Sequence, residues 1–214
     1  MQLTFNSNAL ARQRQISNGT IAPGGTFAEG LFSELSPPYY SLIKAGMVFS
    51  LASAALSAVT AFTGAAAGTP LLGMYNPAGS GVDIVLLQTK LGVRSTGTTA
   101  GTAGIDYFLG QQGSTPVTGT QTVARNLYTG AQGGSVAYCM VNTVNTAAVA
   151  SNFIAPAFSL GNITATAGVN VATLVDDIKG AIIISPGNYL ALGSYVTMAA
   201  AALDLALLWA ELPA

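Results

Sequence analysis

The sequence predicts an all-β fold, an antiparallel β-sandwich or barrel that follows an extended N-terminal arm and includes one short helix. From residue 47 onward, short apolar segments alternate with clusters of Gly, Pro, Asn and Thr, a pattern that favours strands over helices. No amphipathic helix separates these segments, so we expect the strands to pair antiparallel. No segment of 20 to 50 residues recurs, which excludes solenoids and propellers.

The predicted elements fall into an arm and a single domain. Residues 1–35 have mixed polarity and no sustained period, so they predict the arm, and residues 36–214 form the domain. A Ser-Pro-Pro sequence at 36–38 precedes YYSLIKAG and predicts one or two helical turns that end at Gly46. We predict strands over residues 47–54, 57–63, 71–75, 82–93, 105–109, 121–129, 135–142, 153–160, 181–184, 188–197 and 203–211.

Within residues 82–93, the apolar residues shift from one side of the predicted strand to the other. Val82, Ile84 and Leu86 share one phase of the alternation, and Leu87, Leu91 and Val93 share the other. A change of phase within one strand is what a β-bulge produces. We therefore expect a bulge near the middle of this strand.

The segment MAAAALDLALLWAELPA near the C-terminus supports two interpretations. Ala and Leu are strong helix formers, so propensity alone predicts a helix over residues 198–212. As a strand, the same segment gathers four large apolar side chains on one face. We predict a strand, and we expect that face to form a subunit interface: Leu203, Leu205, Leu207 and Trp209.

The low charge of the chain requires a physical account. Only 7% of the residues are charged, against about 25% in an average soluble domain. A monomer of this size exposes roughly 9,000 Å², which leaves about one charge per 600 Å². A bilayer, neighbouring subunits, or a surface of uncharged Ser, Thr, Asn and Gln would each accommodate this composition.

Residues 45–62 test the bilayer explanation, because these 18 residues carry no charge and reach the lower length limit of a spanning helix. Four Ser and Thr residues interrupt the segment, and no basic cluster flanks it to set an orientation. We expect strands here and no membrane partner. The first thirty residues also lack the apolar core of a secretory signal.

Several classes of chemistry lack the residues they need. With no histidine, histidine-dependent triads, zinc sites and proton relays are excluded. Seven scattered Lys and Arg residues and a net charge of −1 supply no basic surface for nucleic acid. Cys139 is the sole cysteine, and without a base to ionise it we expect a core residue. We expect no enzyme activity, cofactor or metal.

Two motifs contain residue types that phosphate-binding loops or acid–base catalysts use. The NPAGSG sequence at 76–81 is rich in glycine, but Gly81 is followed by Val82 and Asp83 where a phosphate-binding loop needs Lys and Ser or Thr. We predict a strand-connecting turn. Asp176 and Asp177 form the only adjacent carboxylate pair, and neighbours in an extended chain point to opposite sides, so we predict a solvated turn rather than acid–base chemistry.

Three stretches carry a resemblance to a known group of proteins: PPYYSLIKAGMVFSL at 37–51, TPLLGMYNPAGSGVDIVLLQTKLGV at 69–93, and the ending from ISPGNYLALG to ALLWAELP. The order and the residues of these stretches resemble those of small structural proteins of tailed bacteriophages. The matching positions are structural turns and not binding sites: Asn76, Pro77, Gly79, Gly81, Pro186 and Gly187. The terminal strand is richer in Ala and Leu than the resemblance leads us to expect.

The resemblance implies a virion component of jelly-roll type, made in the host cytoplasm and located on the capsid surface. It implies a homotrimer that decorates or cements the head by contacting the major capsid protein or other virion proteins. Arg12 and Arg14 in the arm are candidates for docking on an acidic partner surface such as the capsid, and the alternative is a pair of solvated side chains with no partner. The alternative function is a receptor-binding or tail-tip module that presents loops within residues 95–121 to a host ligand.

Overall fold

The structure, a computed structural model, describes residues 39–65, 67–96, 101–115, 117–141, 145–146, 150–163 and 172–214. The chain divides into two compact units, Met1–Ser41 and Leu42–Ala214. All of the described strands lie in the second unit. The predicted arm over residues 1–35, with Arg12 and Arg14, lies outside the described residues.

The described elements are one short helix and fourteen strands. The helix α1 spans Tyr40–Lys44. The strands are β1 (Val48–Val59), β2 (Ala67–Gly68), β3 (Leu72–Tyr75), β4 (Val82–Thr96), β5 (Gly101–Gln111), β6 (Gln121–Thr122), β7 (Arg125–Asn126), β8 (Tyr138–Val141), β9 (Asn145–Thr146), β10 (Asn152–Ile163), β11 (Ala172–Asp176), β12 (Ile182–Ile184), β13 (Asn188–Gly193) and β14 (Met198–Pro213).

Two antiparallel six-stranded sheets pack against each other, so the predicted all-β sandwich is confirmed. Sheet 1 has the order β11, β4, β14, β1, β7, and β12 also pairs with β4. Sheet 2 has the order β10, β5, β13, β3, β8, β6. A separate pair, β2 with β9, completes the described strands.

The main core lies between the two sheets. Sheet 1 contributes inward side chains such as Leu91 and Leu207, and sheet 2 contributes Tyr107 and Leu192 among others. Trp209, the largest of the fully buried residues, has 0% of its surface exposed and stacks on Phe49 at a ring-centroid distance of 6.2 Å. Alternation along each strand therefore places the large apolar residues between the sheets.

A second apolar cluster covers the outer face of sheet 2. Phe108, Tyr189 and Met140 point away from the main core and are buried beneath Phe62 and other side chains. The chain holds Phe62 there through its amide, which donates to the carbonyl of Ser194 at 2.7 Å. A Cβ at position 193 would lie 2.6 Å from the Phe62 ring, so this close approach requires Gly193.

Three detailed predictions about local structure are confirmed. The segment 198–212 is a strand, β14, which pairs with both β4 and β1. The bulge in β4 occurs at Leu87, because Leu208 pairs with Gln88 while Trp209 pairs with Leu86. The helix α1 ends where predicted: the amide of Gly46 donates to Ile43, and Gly46 has a positive φ of 71°.

Other predictions require correction. The two strands expected over residues 47–63 are one strand, β1, with register shifts that let it continue. The strand β11 was not predicted, because ATLVD is short and mixes polar with apolar residues. The loop expected over residues 95–104 is wrong at both ends, since β4 continues to Thr96 and β5 begins at Gly101. Backbone pairing makes these Gly- and Thr-rich residues strands despite their few large side chains.

Among the described residues, no helix has the length and apolar character needed to cross a membrane. Most of the uncharged segment 45–62 lies in β1.

Candidate functional site

The glycine-rich turn at 76–81 closes one end of the sandwich. It connects β3 of sheet 2 to β4 of sheet 1, and Asn76 at its start is fully buried. The Asn76 Nδ2 donates to the carbonyls of Val82 at 2.8 Å and Ile184 at 2.7 Å, and its Oδ1 accepts from the Ser80 hydroxyl at 2.7 Å. The Asn76 side chain thus joins the turn to β12, at a residue 108 positions further along the chain.

The backbone of the same residue joins a second turn. The Asn76 amide donates to the carbonyl of Asn188 at 2.9 Å, and the amide of Gly187 donates to the Asn76 carbonyl at 2.8 Å. The Gly187 carbonyl in turn accepts from the amides of Gln112 and Gly113. These amides are already paired within the protein, so they do not form a cradle for a phosphate.

The residues predicted as structural turns lie in these two connections. Gly79, Gly81 and Gly187 have positive φ angles of 82°, 71° and 83°, a conformation that glycine adopts without strain. Pro77 and Pro186 lie in the same connections. The structure brings the two turns together at Asn76, which sequence reasoning had treated as an ordinary turn residue.

A buried carboxylate lies at the end of β14. Glu211 is 8% exposed, and its carboxylate accepts hydrogen bonds from the Ser135 hydroxyl, from the Val136 amide at 3.2 Å and from the Trp209 indole at 3.2 Å. All three are neutral donors. The carboxylate therefore fastens the segment before β8 to the last strand, which gives the Trp-x-Glu ending a structural role.

The adjacent carboxylates of Asp176 and Asp177 do not act on a common atom. Asp176 accepts a hydrogen bond from the Tyr107 hydroxyl at 2.9 Å. Asp177 instead accepts one from the side-chain Nε2 of Gln88 at 3.1 Å and lies 3.7 Å from the Lys179 ammonium. Burial raises the pKa of Tyr107, and Asp176 raises it further. The pair thus supports the fold at the end of β11 and offers no acid–base site.

Cys139 is buried in β8 with 0% of its surface exposed. Burial raises the pKa of its thiol, and the negative charge of Glu211 raises it further. The thiol therefore stays protonated at neutral pH and is a poor nucleophile.

The face of β14 that we expected to form a subunit interface lies inside the chain itself. Leu203, Leu205, Leu207 and Trp209 each have 1% or less of their surface exposed. They belong to the core between the two sheets. Sheet 2 of the same chain occupies the place that the prediction had given to a second subunit, and this corrects the expected location of an interface.

An exposed aromatic group, which we call the aromatic patch, lies at the margin of the outer face of sheet 2. Phe153 and Tyr195 are each 48% exposed, with ring centroids 6.2 Å apart. Both rings contact Phe108, at 6.2 and 5.3 Å, and Phe108 packs edge-on against Phe62 at 5.1 Å. Because a buried aromatic pair supports the two exposed rings, their positions are fixed by packing.

The aromatic patch is not where sequence reasoning placed recognition. The expected region was residues 95–121, whose aromatic residues Tyr107 and Phe108 are buried in β5. Phe153 and Tyr195 lie in two other segments with no sequence feature that links them, and only the fold places both beside Phe108. The same side of β5 also carries Asp106, whose pKa is raised by burial.

Within the described part of the chain, no three His, Cys, Asp or Glu side chains lie together as a metal site would need. In comparisons with known proteins, no family model, no curated protein and no solved structure matched the chain.

Proposed function

We propose that this protein is a structural subunit of a bacteriophage virion, one that assembles with copies of itself, with trimers preferred, and decorates or cements the capsid. The observation that carries the proposal is that the side chains best suited to chemistry or ligand binding are engaged in holding the fold together. Glu211, Cys139 and the turn that begins at Asn76 all serve the fold. What the chain offers to other molecules is its surface.

The low charge supports the same proposal. A chain with 7% charged residues is poorly suited to permanent exposure as a monomer, but an assembled subunit buries much of its exterior, as obligate interfaces resemble a domain core cut in half. A decorating protein stabilises a shell by mass action. It adds binding free energy to the assembled capsid and none to the dissociated one.

Co-sedimentation tests the proposal directly. The purified protein is mixed with capsids stripped of their accessory proteins, and we expect it to pellet with them to a saturating ratio. The stripped capsids should also resist heat better once they are decorated. Protein that stays in the supernatant at all ratios would contradict the decoration function.

The docking role of the arm is a separate prediction. Deleting residues 2–30 should leave a folded protein that no longer saturates capsids. Replacing Arg12 and Arg14 with Ala should weaken binding and make the remaining binding less sensitive to salt, whereas Arg125→Ala, an exposed arginine in β7, is the matched control. Full binding by the truncated protein would exclude the arm as the anchor.

A second candidate function, recognition of a host surface ligand, is favoured by the aromatic patch. Exposed aromatic rings held in place by packing lose little conformational entropy when a ligand binds. The test is binding to host cells or purified surface glycans, with Phe153→Ala and Tyr195→Ala as variants. Tyr128→Ala is the matched control, because Tyr128 is 54% exposed and lies outside the patch.

A further inference from the structure

Asp106 is a half-buried carboxylate on the outer face of sheet 2. Its neighbours in β5, Ile105 and Tyr107, point into the main core, so the alternation of the strand places Asp106 on the opposite side, together with Phe108. Phe108 is the buried ring that supports the aromatic patch. Because successive positions on one face of a strand are about 7 Å apart, Asp106 lies next to that patch.

The positions around Asp106 supply no donor for its carboxylate. Its four nearest neighbours on the same face of sheet 2 are Gly104 and Phe108 along β5, Pro156 on β10 and Gly193 on β13. None of these side chains can donate a hydrogen bond. Among the described residues, no hydrogen bond or ion pair reaches the Asp106 carboxylate, and no strand of sheet 2 contains Lys or Arg. This carboxylate has lost part of its water without gaining a partner, and burial raises its pKa accordingly.

Two exposed aromatic rings lie beside this carboxylate. Phe153 is the register partner of Phe108 on β10. Tyr195 follows two residues after Gly193, which is the register partner of Asp106 on β13. The planes of the two exposed rings are inclined by 47°. The face of an aromatic ring carries partial negative charge and attracts cations, so the rings and the carboxylate favour a ligand of the same sign of charge.

The guanidinium of an arginine side chain is the cation that best suits these groups. It is planar and stacks on aromatic faces, and its N–H fork pairs with a carboxylate through two hydrogen bonds. Its long apolar stem can lie along the rings while the charged end reaches the carboxylate. A metal ion is not favoured, because hard cations need several oxygen ligands and no three His, Cys, Asp or Glu side chains lie together in the described part of the chain. An anionic ligand would be repelled by the unpaired carboxylate.

We propose that Asp106 and the aromatic patch together form a docking site for an exposed arginine side chain of a partner protein. The inference rests on the proposed function for the nature of the partner, which is then another virion protein, whereas the site itself depends on the contacts above. It differs from recognition of a neutral glycan, which would use the rings without the charge of Asp106.

Saturation-transfer NMR on the intact protein tests the inference, with N-acetyl-arginine amide as the probe. Saturation of the protein signals should transfer to the side-chain protons of the probe, at the millimolar affinity expected of so small a ligand. N-acetyl-citrulline amide is the matched probe, because it has almost the same shape without the charge. It should bind about tenfold more weakly than the arginine probe.

Three variants locate the site. Asp106→Asn removes the charge with little change of shape and breaks no contact among the described residues, so it should fold and bind the arginine probe about tenfold more weakly. Tyr195→Ala should weaken binding about two- to fivefold. Asp177→Asn is the matched control and should leave binding unchanged, because Asp177 is an exposed carboxylate outside the patch, with Gln88 and Lys179 as its partners.

The outcomes separate the arginine site from the alternatives. No binding of the arginine probe to the wild type would overturn the inference. Equal binding of the two probes would also overturn it, and would indicate a neutral aromatic surface of the kind that glycan recognition uses. A folded Asp106→Asn variant, checked by the emission of the buried Trp209, that binds the arginine probe as tightly as the wild type would overturn it as well. Co-sedimentation with stripped capsids is measured separately: a wild type that binds the probe but never pellets with capsids would overturn the decoration function and leave the arginine site standing.

Discussion

Replacing Asn76 with Ala should strongly destabilise the sandwich, because this side chain joins both sheets' connections at one end. The substitution removes the two hydrogen bonds that Nδ2 donates to Val82 and Ile184. Each such bond contributes about 1 kcal/mol net, and a buried acceptor left without a partner costs about 1–3 kcal/mol. Since the Ser80 hydroxyl can still donate to the Val82 carbonyl, we expect a total loss of about 3 kcal/mol.

Urea unfolding followed by tryptophan fluorescence measures this loss. Trp209 is the only tryptophan and is fully buried, so its emission reports on the packing of the core. A loss of about 3 kcal/mol corresponds to a fall in Tm of about 6–12 °C for a chain of this size. Protein concentration is held fixed, because association with other copies would raise the apparent stability.

Ser80→Ala is the matched control for this experiment. It removes the bond between the Ser80 hydroxyl and Asn76 Oδ1 and leaves that one buried acceptor without its donor, but it keeps both bonds from Nδ2, so we expect a smaller loss of about 1–2 kcal/mol. If Asn76→Ala lowered the free energy of unfolding no more than Ser80→Ala does, the claim that Asn76 fastens the two connections would be refuted.

Three further predictions concern the core, the carboxylate of Glu211 and pH. Leu207→Ala should lower the free energy of unfolding by about 2–5 kcal/mol because it leaves a cavity in the core. Leu208→Ala, on the outward side of the same strand, should cost much less. Equal losses for the two variants in urea unfolding would contradict the inward assignment of Leu207. Glu211→Gln should cost about 1–3 kcal/mol by placing an NH₂ group near the Val136 amide, and an unchanged urea midpoint would argue against that role. Tyr107, Tyr189 and Cys139 all have raised pKa values, mainly through burial, above ordinary values of 10.0, 10.0 and 9.0. The unfolded chain releases these protons first as pH rises, so Tm should be steady below about pH 8 and fall above about pH 9; a steady Tm to pH 11 would contradict this.

Local sequence patterns predicted much of the fold. The alternation in residues 82–93 located the bulge at Leu87, since an extra residue in one strand must change the phase of its side chains. The Ser-Pro-Pro start and Gly46 bracketed α1. Both features depend on residues close together in the chain, which is why the sequence alone was sufficient.

Contacts between distant residues could not be predicted in the same way. The bond from Asn76 to Ile184 joins positions 108 residues apart, and the aromatic patch joins Phe153 of β10 to Tyr195 beyond β13. Neither pair has a local signal. The strand β11 was missed because its pairing with β4, rather than its own propensity, makes it a strand.

The strand β14 shows most clearly what each level determined. The sequence by itself determined that residues 198–212 have two apolar faces if extended, one with Leu and Trp and the other mostly Ala. It could not determine what covers each face, because a second subunit and a second sheet remove the same apolar area from water. Only the tertiary structure placed the larger side chains against sheet 2, where they fill the space between sheets about 10 Å apart, and left the smaller side chains facing outward.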